Sequence, residues 1–105
     1  MKKDYRKVLG CLVGGAAGDA LGYSVEFMSY DEIKRTFGER GIRSFVLDKR
    51  GKAVVSDDTQ MTLFTANGIL FWETRGHTHG VCGYPEFYVQ IAYMDWLKTQ
   101  GIMVE

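Results

Sequence analysis

The sequence predicts an all-α fold for a chain of 105 residues. Four segments carry helical signals, with apolar residues at three- and four-residue spacing, capping residues before them and glycine after them. Strand-like alternation is confined to one short stretch, and no internal repeat or low-complexity tract interrupts the pattern. A chain of this length forms one domain at most, so we expect residues 1–105 to be a single helical domain.

The first predicted helix runs from about Tyr5 to Phe27 and is rich in glycine at helical spacing: Gly10, Gly14, Gly15, Gly18 and Gly22. Glycine inside a helix costs roughly 1 kcal/mol relative to alanine, so its repetition needs a reason. At 3.6 residues per turn these positions form a bare stripe along which another helix could approach closely. The remaining residues are mostly small or apolar, which predicts a central, buried helix.

Two acids stand in this glycine-rich segment. Asp19 and Glu26 are seven residues apart and would share one helix face with Gly15 and Gly22. Two carboxylates on a strip with little other bulk leave room for a ligand, a metal-bound water or another carboxylate. The competing interpretation is structural, because buried acids are usually hydrogen-bonded to backbone or paired with Arg or Lys.

The second helix is predicted over "SYDEIKRTFG". Ser29 is its N-cap, Glu32 completes a capping box, and Gly38 lies just past its end. The following stretch, from 42 to 55, alternates weakly around a Lys-Arg-Gly turn and is predicted to be an irregular loop or a small hairpin.

The third helix is predicted over "SDDTQMTLFTANGILFWETRG", capped by Ser56 or Asp57. A glycine-rich connection, "HTHGVCGY", is expected to follow it. The fourth helix is predicted to open at Pro85 and to end at Gly101, because proline suits a first helical turn and glycine a helix end.

The "SDDT" stretch, Ser56 to Thr59, sets two adjacent carboxylates between two hydroxyls. Hard oxygen ligands of this kind suit magnesium, manganese or calcium rather than zinc. Helix capping is the competing interpretation, because Asp, Ser and Thr are also preferred at helix starts. Two observations favour a site: a cap needs only one side-chain oxygen, and the preceding "AVV" run would hold the motif against the core.

Composition and the remaining motifs narrow the function classes. Thirteen basic and thirteen acidic residues balance to zero, so neither a nucleic acid nor a membrane is expected as a partner. The apolar N-terminal run is interrupted by Asp19 and is too short to span a bilayer.

Two cysteines far apart, Cys11 and Cys82, indicate reduced thiols and a cytoplasmic location. His77 and His79 with Cys82 are a weak signal for zinc, and the glycine spacing fits neither a phosphate loop nor a dinucleotide-binding turn.

"GGAAGDALGYSVEF", followed about thirty residues later by "SDDTQMTLFTANGIL", resembles the N-terminal part of the ADP-ribosylglycohydrolase family. The family includes the hydrolase that removes ADP-ribose from dinitrogenase reductase, and "AYMDWLKTQG" also looks like one of its helices. The resemblance implies an all-α fold with two magnesium or manganese ions in a central cleft. It implies hydrolysis at the ribose anomeric carbon of an ADP-ribosylated protein or small molecule.

The resemblance also implies roles for individual residues. Glu26 matches a catalytic carboxylate, serving as a base or stabilising oxocarbenium-like charge. Metal ligands are implied at Ser56, Asp57 and Asp58, with serine where many members have threonine. Contact with the substrate, or support of the metal ligands, is expected of Asp19, Gly22 and Thr59.

Family members are considerably longer and carry a second acidic motif, Asp-x-Asp-Thr or Asp-x-Asp-Ser, which these 105 residues do not contain. Three interpretations stay open. The chain is the N-terminal part of a longer hydrolase and carries half of its active site. It is instead a short relative without hydrolase activity, serving as an ADP-ribose-binding or interaction module. Or two copies associate and cover each other's exposed apolar surface.

Overall fold

The computed structural model describes residues 4–80 and 83–103, and in these ranges it contains four helices. They are α1 (Tyr5–Tyr23), α2 (Tyr30–Phe37), α3 (Asp57–His79) and α4 (Pro85–Thr99). The predicted all-α class is confirmed. Contacts along the chain divide it into two compact units, Met1–Thr59 and Gln60–Glu105.

Helix α1 begins where the sequence predicts but ends at Tyr23, four residues before the predicted Phe27. Beyond Tyr23 the backbone N–H groups bond to carbonyls three residues back, with Glu26 N–H donating to Tyr23 O at 3.4 Å. Tightened turns of this kind are common where a helix ends. Glu26 therefore lies on a turn, and its seven-residue spacing from Asp19 does not place the two acids on one helix face.

The prediction that α1 is a buried helix is wrong, because Ala20 is its one buried residue. Tyr5 and Leu9 are 79% and 63% exposed. A Cβ atom added at any of the five glycines of the stripe would meet no heavy atom of the described chain within 4 Å. The stripe therefore serves no close helix contact within the described residues.

Helix α2 has the predicted capping box. Ser29 Oγ accepts the backbone N–H of Glu32 at 3.2 Å, and the Glu32 carboxylate accepts the N–H of Ser29 at 2.8 Å. Gly38 follows the helix with a φ of 91°, a conformation that glycine adopts without strain, and its N–H donates to Lys34 O.

The segment between α2 and α3 combines both predicted forms, because it is an irregular loop held by one hairpin-like turn. Leu47 and Ala53 form an isolated antiparallel bridge. Inside it, one carboxylate oxygen of Asp48 accepts the N–H groups of Arg50 and Lys52 at 2.8 and 3.0 Å. These bonds hold the loop without a sheet.

In the second unit, α3 and α4 pack closely at Gly68. Gly68 is buried, and a Cβ atom there would lie 2.9 Å from Tyr88 O and 3.0 Å from Val89 Cα. Phe71 packs edge-on against the Tyr88 ring, with 5.2 Å between centroids. Thr65 and Tyr93 share a hydrogen bond of 2.5 Å.

Helix α3 continues to His79, past the predicted end at Gly76. The predicted glycine-rich connection is thus partly helical. Gly80 ends the helix with a φ of 71° and donates its N–H to Gly76 O at 3.1 Å. The predicted bounds of α4 are confirmed, with Pro85 in its first turn and Gly101 at φ 78° after it.

Across residues 4–80 and 83–103, no helix is long and apolar enough to cross a membrane. Cys11 is a free, exposed thiol. Cys82 lies outside the described residues.

Candidate functional site

The candidate site is built on the start of α3, where the "SDDT" motif begins the helix. Ser56 precedes the first helical residue, Asp57, and its hydroxyl oxygen accepts the backbone N–H of Asp58 at 3.1 Å. This is the geometry of an N-cap, which confirms Ser56 as a cap of the helix. Ser56 is 8% exposed, whereas Asp57 and Asp58 are exposed at the surface.

The preceding apolar run does not hold the motif, contrary to the prediction. Val54 and Val55 are 47% and 36% exposed. Ser56 is held instead by a polar partner on α1, the carboxylate of Asp19.

Four hydrogen bonds join Asp19 to this motif. The Ser56 hydroxyl donates to Asp19 Oδ1 at 2.6 Å, and the Ser56 backbone N–H donates to Oδ2 at 2.8 Å. The Thr59 hydroxyl and backbone N–H donate to the same Oδ2 at 2.5 and 3.3 Å. All three residues belong to the first compact unit, Met1–Thr59. Asp19 is thus hydrogen-bonded to the residues on both sides of the acid pair.

These bonds set the charge state of Asp19. Burial would raise the pKa of its carboxyl, but the hydroxyl and backbone donors of Ser56 and Thr59 outweigh it and leave the pKa below its ordinary value. Asp19 is therefore an anion at neutral pH. The negative charge of Asp19 is also stabilised by the positive end of the α3 helix dipole, because the carboxylate lies beside the start of α3.

Capping explains only part of the motif. The N–H groups of Asp58 and Thr59 are satisfied by Ser56 and Asp19, so capping does not require carboxylates at both 57 and 58. Two acids in a first helical turn are favoured by the helix dipole. Yet two like charges side by side repel each other, which a cation between or beside them would relieve.

Gly22 and Glu26 lie at the C-terminal end of α1 and just beyond it. Gly22 is exposed in the last turn of α1, and its carbonyl accepts the N–H of Val25 at 3.1 Å. Glu26 is exposed on the turn that follows. A hollow of about 270 Å³ lies beside this turn, lined by Tyr23, Ser24, Val46, Leu47, Asp48 and Val54.

The residues fit a divalent cation by type but supply only part of a coordination shell. Carboxylate and hydroxyl oxygens at 56–58 are the hard donors that magnesium and manganese prefer. Within the described ranges, no group of three or more His, Cys, Asp and Glu side chains could hold a metal ion. His77 lies 3.9 Å from Glu73 and the ring of His79 contacts Thr78, while Cys82 is outside the described residues.

Sequence reasoning missed the partnership between Asp19 and the motif. The two are separated by 37 residues along the chain, so no local spacing could reveal their contact. It also missed an apolar hollow of about 600 Å³ in the second unit, whose lining includes Met61, Ile69, Pro85, Val89, Tyr93 and Leu97. The helical spacing of apolar residues in the sequence does not reveal a gap between the side chains of α3 and α4.

Comparison with known proteins bears on what this site does. Neither the curated proteins nor the solved structures gave a match. A family model, described as ADP-ribosylglycohydrolase, matches residues 1–105, the full length of the sequence. The match includes both the glycine-rich helix that carries Asp19 and the acid pair at the start of α3. The chain therefore belongs to the ADP-ribosylglycohydrolase family.

Proposed function

We propose that this chain supplies the N-terminal half of the active site of a metal-dependent ADP-ribosylglycohydrolase. One observation carries the proposal: the Asp19 carboxylate holds Ser56 and Thr59 on either side of two exposed carboxylates at a helix start. Family membership supports the reaction class, because the family acts on ADP-ribosylated substrates.

The cation would be Mg²⁺ or Mn²⁺, held from this side by the Ser56 hydroxyl and by the carboxylates of Asp57 and Asp58. Magnesium is commonly bound by one or two carboxylates, with waters and substrate oxygens completing its shell. When bound, the ion would polarise the ribose hydroxyls and orient the attacking water. The second ion that the family resemblance implies would need further ligands from outside this set.

Glu26 would act on the water or on the developing charge. In hydrolysis the bond from the ribose anomeric carbon to the leaving nitrogen or oxygen breaks, and the water oxygen takes its place. A carboxylate can accept the water's proton, or stabilise the oxocarbenium-like transition state, while the leaving group receives a proton. The exposed position of Glu26 leaves its carboxylate accessible to a substrate. Gly22, without a side chain, would keep the path between α1 and the substrate open.

The test is hydrolysis of an ADP-ribosylated protein and of an ADP-ribosyl small molecule, with Mn²⁺, by the purified chain together with a polypeptide that supplies the other half of the site. We expect activity that a chelator abolishes, and that Asp57→Asn and Glu26→Gln each lower by at least about tenfold. Asp31→Asn is the matched control, because Asp31 also lies in the first turn of a helix but belongs to α2 rather than α3. Activity that persists in chelator, or that falls equally in the control, would refute the proposal.

A second candidate is an ADP-ribose-binding module without hydrolase activity. It is favoured by the small donor set, since no group of three metal-binding side chains occurs within residues 4–80 and 83–103. Calorimetric binding of ADP-ribose without turnover, unchanged by chelator, would support this candidate over the hydrolase. Sedimentation velocity on the same sample tests whether copies associate.

A further inference from the structure

The sequence allowed two roles for Asp19 in the proposed site: contact with the substrate or support of the metal ligands. We propose that Asp19 is a positioning residue, whose carboxylate accepts the hydrogen bond of the Ser56 hydroxyl and anchors Thr59, so that the Ser56 oxygen presents a lone pair to a divalent cation. The inference rests on the proposed function, because it needs a cation at residues 56–58.

Most of the acceptor capacity of the Asp19 carboxylate is used by Ser56 and Thr59. An ionised carboxylate offers about four lone-pair positions. Oδ1 accepts one hydrogen bond and Oδ2 accepts three, all from Ser56 and Thr59. Oδ2 is saturated, so a substrate hydroxyl or a cation could bind this oxygen only by displacing one of its donors, whereas Oδ1 retains one lone pair. Because all four donors belong to Ser56 and Thr59, the main effect of Asp19 is exerted through these two residues.

If the Ser56 hydroxyl is to bind a cation, its proton must point away from that cation. A serine hydroxyl has one proton and two lone pairs, and a cation repels the proton. The proton points to Asp19 Oδ1 at 2.6 Å, and one lone pair accepts the N–H of Asp58 at 3.1 Å. One lone pair remains. The charge-assisted bond to Asp19 also makes the Ser56 oxygen a stronger donor, as carboxylate partners do for other metal ligands.

Thr59 gives the second point of attachment. Its hydroxyl and N–H both bond to Asp19 Oδ2, so the motif is fixed before and after the acid pair. Two fixed points restrict the turn that carries Asp57 and Asp58, which lowers the ordering cost when an ion binds.

The test measures Mn²⁺ affinity of the full chain by the electron paramagnetic resonance of free Mn²⁺. We expect Asp19→Asn to weaken binding by about 10- to 100-fold, the usual effect of losing a partner of a metal ligand. Asp57→Asn reports on the ion site itself. Asp48→Asn is the matched control, because Asp48 also accepts two backbone N–H groups in the first unit but lies in the loop before α3.

A double-mutant cycle separates positioning from general support of the fold. In a Ser56→Ala background there is no hydroxyl proton to direct, so Asp19→Asn should weaken Mn²⁺ binding several-fold less than it does in the wild type. A structural role alone predicts the same loss in both backgrounds and overturns the inference. If Asp19→Asn does not fold, Thr59→Val removes one anchor and should weaken Mn²⁺ binding, whereas Thr59→Ser should not. Equal affinities for these two variants would also overturn it.

Failure of this inference is distinguishable from failure of the proposed function. If Asp57→Asn loses Mn²⁺ while Asp19→Asn binds it as the wild type does, Asp19 is not a positioning residue and the metal site stands. If the wild type binds no Mn²⁺, both the proposed function and the inference are refuted.

Discussion

Asp19 shows how one carboxylate can connect two parts of a chain that local sequence patterns treat separately. The Asp19 side chain extends from α1 to the start of α3. There it accepts hydrogen bonds from backbone N–H groups that would otherwise bond to water. Each such bond to a charged group contributes about 1.5–3 kcal/mol when its loss leaves the partners unsatisfied. We therefore regard Asp19 as the residue on which the geometry of the candidate site depends most.

The lowered pKa of Asp19 predicts how stability depends on pH. The unfolded chain takes up this proton at a higher pH than the folded chain does, so the stabilisation is complete above the ordinary carboxyl range and is lost as pH falls through it. Urea unfolding in chelator, repeated between neutral pH and about pH 3, should show this acid-induced loss of free energy of unfolding. The loss should be smaller for Asp19→Asn than for the control Asp48→Asn. Equal slopes in the two variants would contradict the role assigned to the Asp19 charge.

At the scale of elements, the glycines of α1 and the glycine at 68 in α3 have different packing environments. The glycines of α1 face open space in the described chain, whereas Gly68 in α3 lies against the backbone of α4 at Tyr88 and Val89. The sequence alone could not separate these cases, because both sets stand at helical spacing among apolar residues. Only the partner's position decides whether the missing side chain is needed.

This difference predicts opposite signs for two matched substitutions. Gly68→Ala would set a Cβ atom against Tyr88 O and Val89 Cα, so we expect it to destabilise the chain by about 1–3 kcal/mol. Gly14→Ala meets open space and should stabilise α1 by up to about 1 kcal/mol through helix propensity. Thermal unfolding followed by circular dichroism measures both. A destabilised Gly14→Ala would mean that the α1 stripe is covered in solution.

The helix bounds show where local signals suffice. The capping box at Ser29 and the glycine at 38 were predictable because they act within a few residues. The ends of α1 and α3 were not, since glycine and serine inside a helix are only weak breakers, and α3 passes Gly76 before Gly80 ends it. The acid pair could be proposed as a metal site from its residue types. Its attachment to Asp19 depends on the tertiary fold.

For the whole molecule, the proposed function rests on the family assignment and on the donor groups at the start of α3. The family model spans residues 1–105, and the described residues place one hydroxyl and two carboxylates at the start of α3. Three protein ligand groups would leave an ion open to water and to substrate, which predicts modest affinity for the cation. Further ligands from another segment or another chain would raise that affinity without changing the proposed role of residues 56–58.

The most direct test of this site is the paramagnetic broadening of backbone amide signals by small amounts of Mn²⁺, observed by nuclear magnetic resonance. We predict that the amides of residues 56–59 broaden first, that Glu26 follows, and that the effect disappears in the Asp57→Asn/Asp58→Asn double variant. Broadening centred on other carboxylates, such as Asp95 or Glu86, or identical broadening in the double variant, would contradict a cation site at the start of α3.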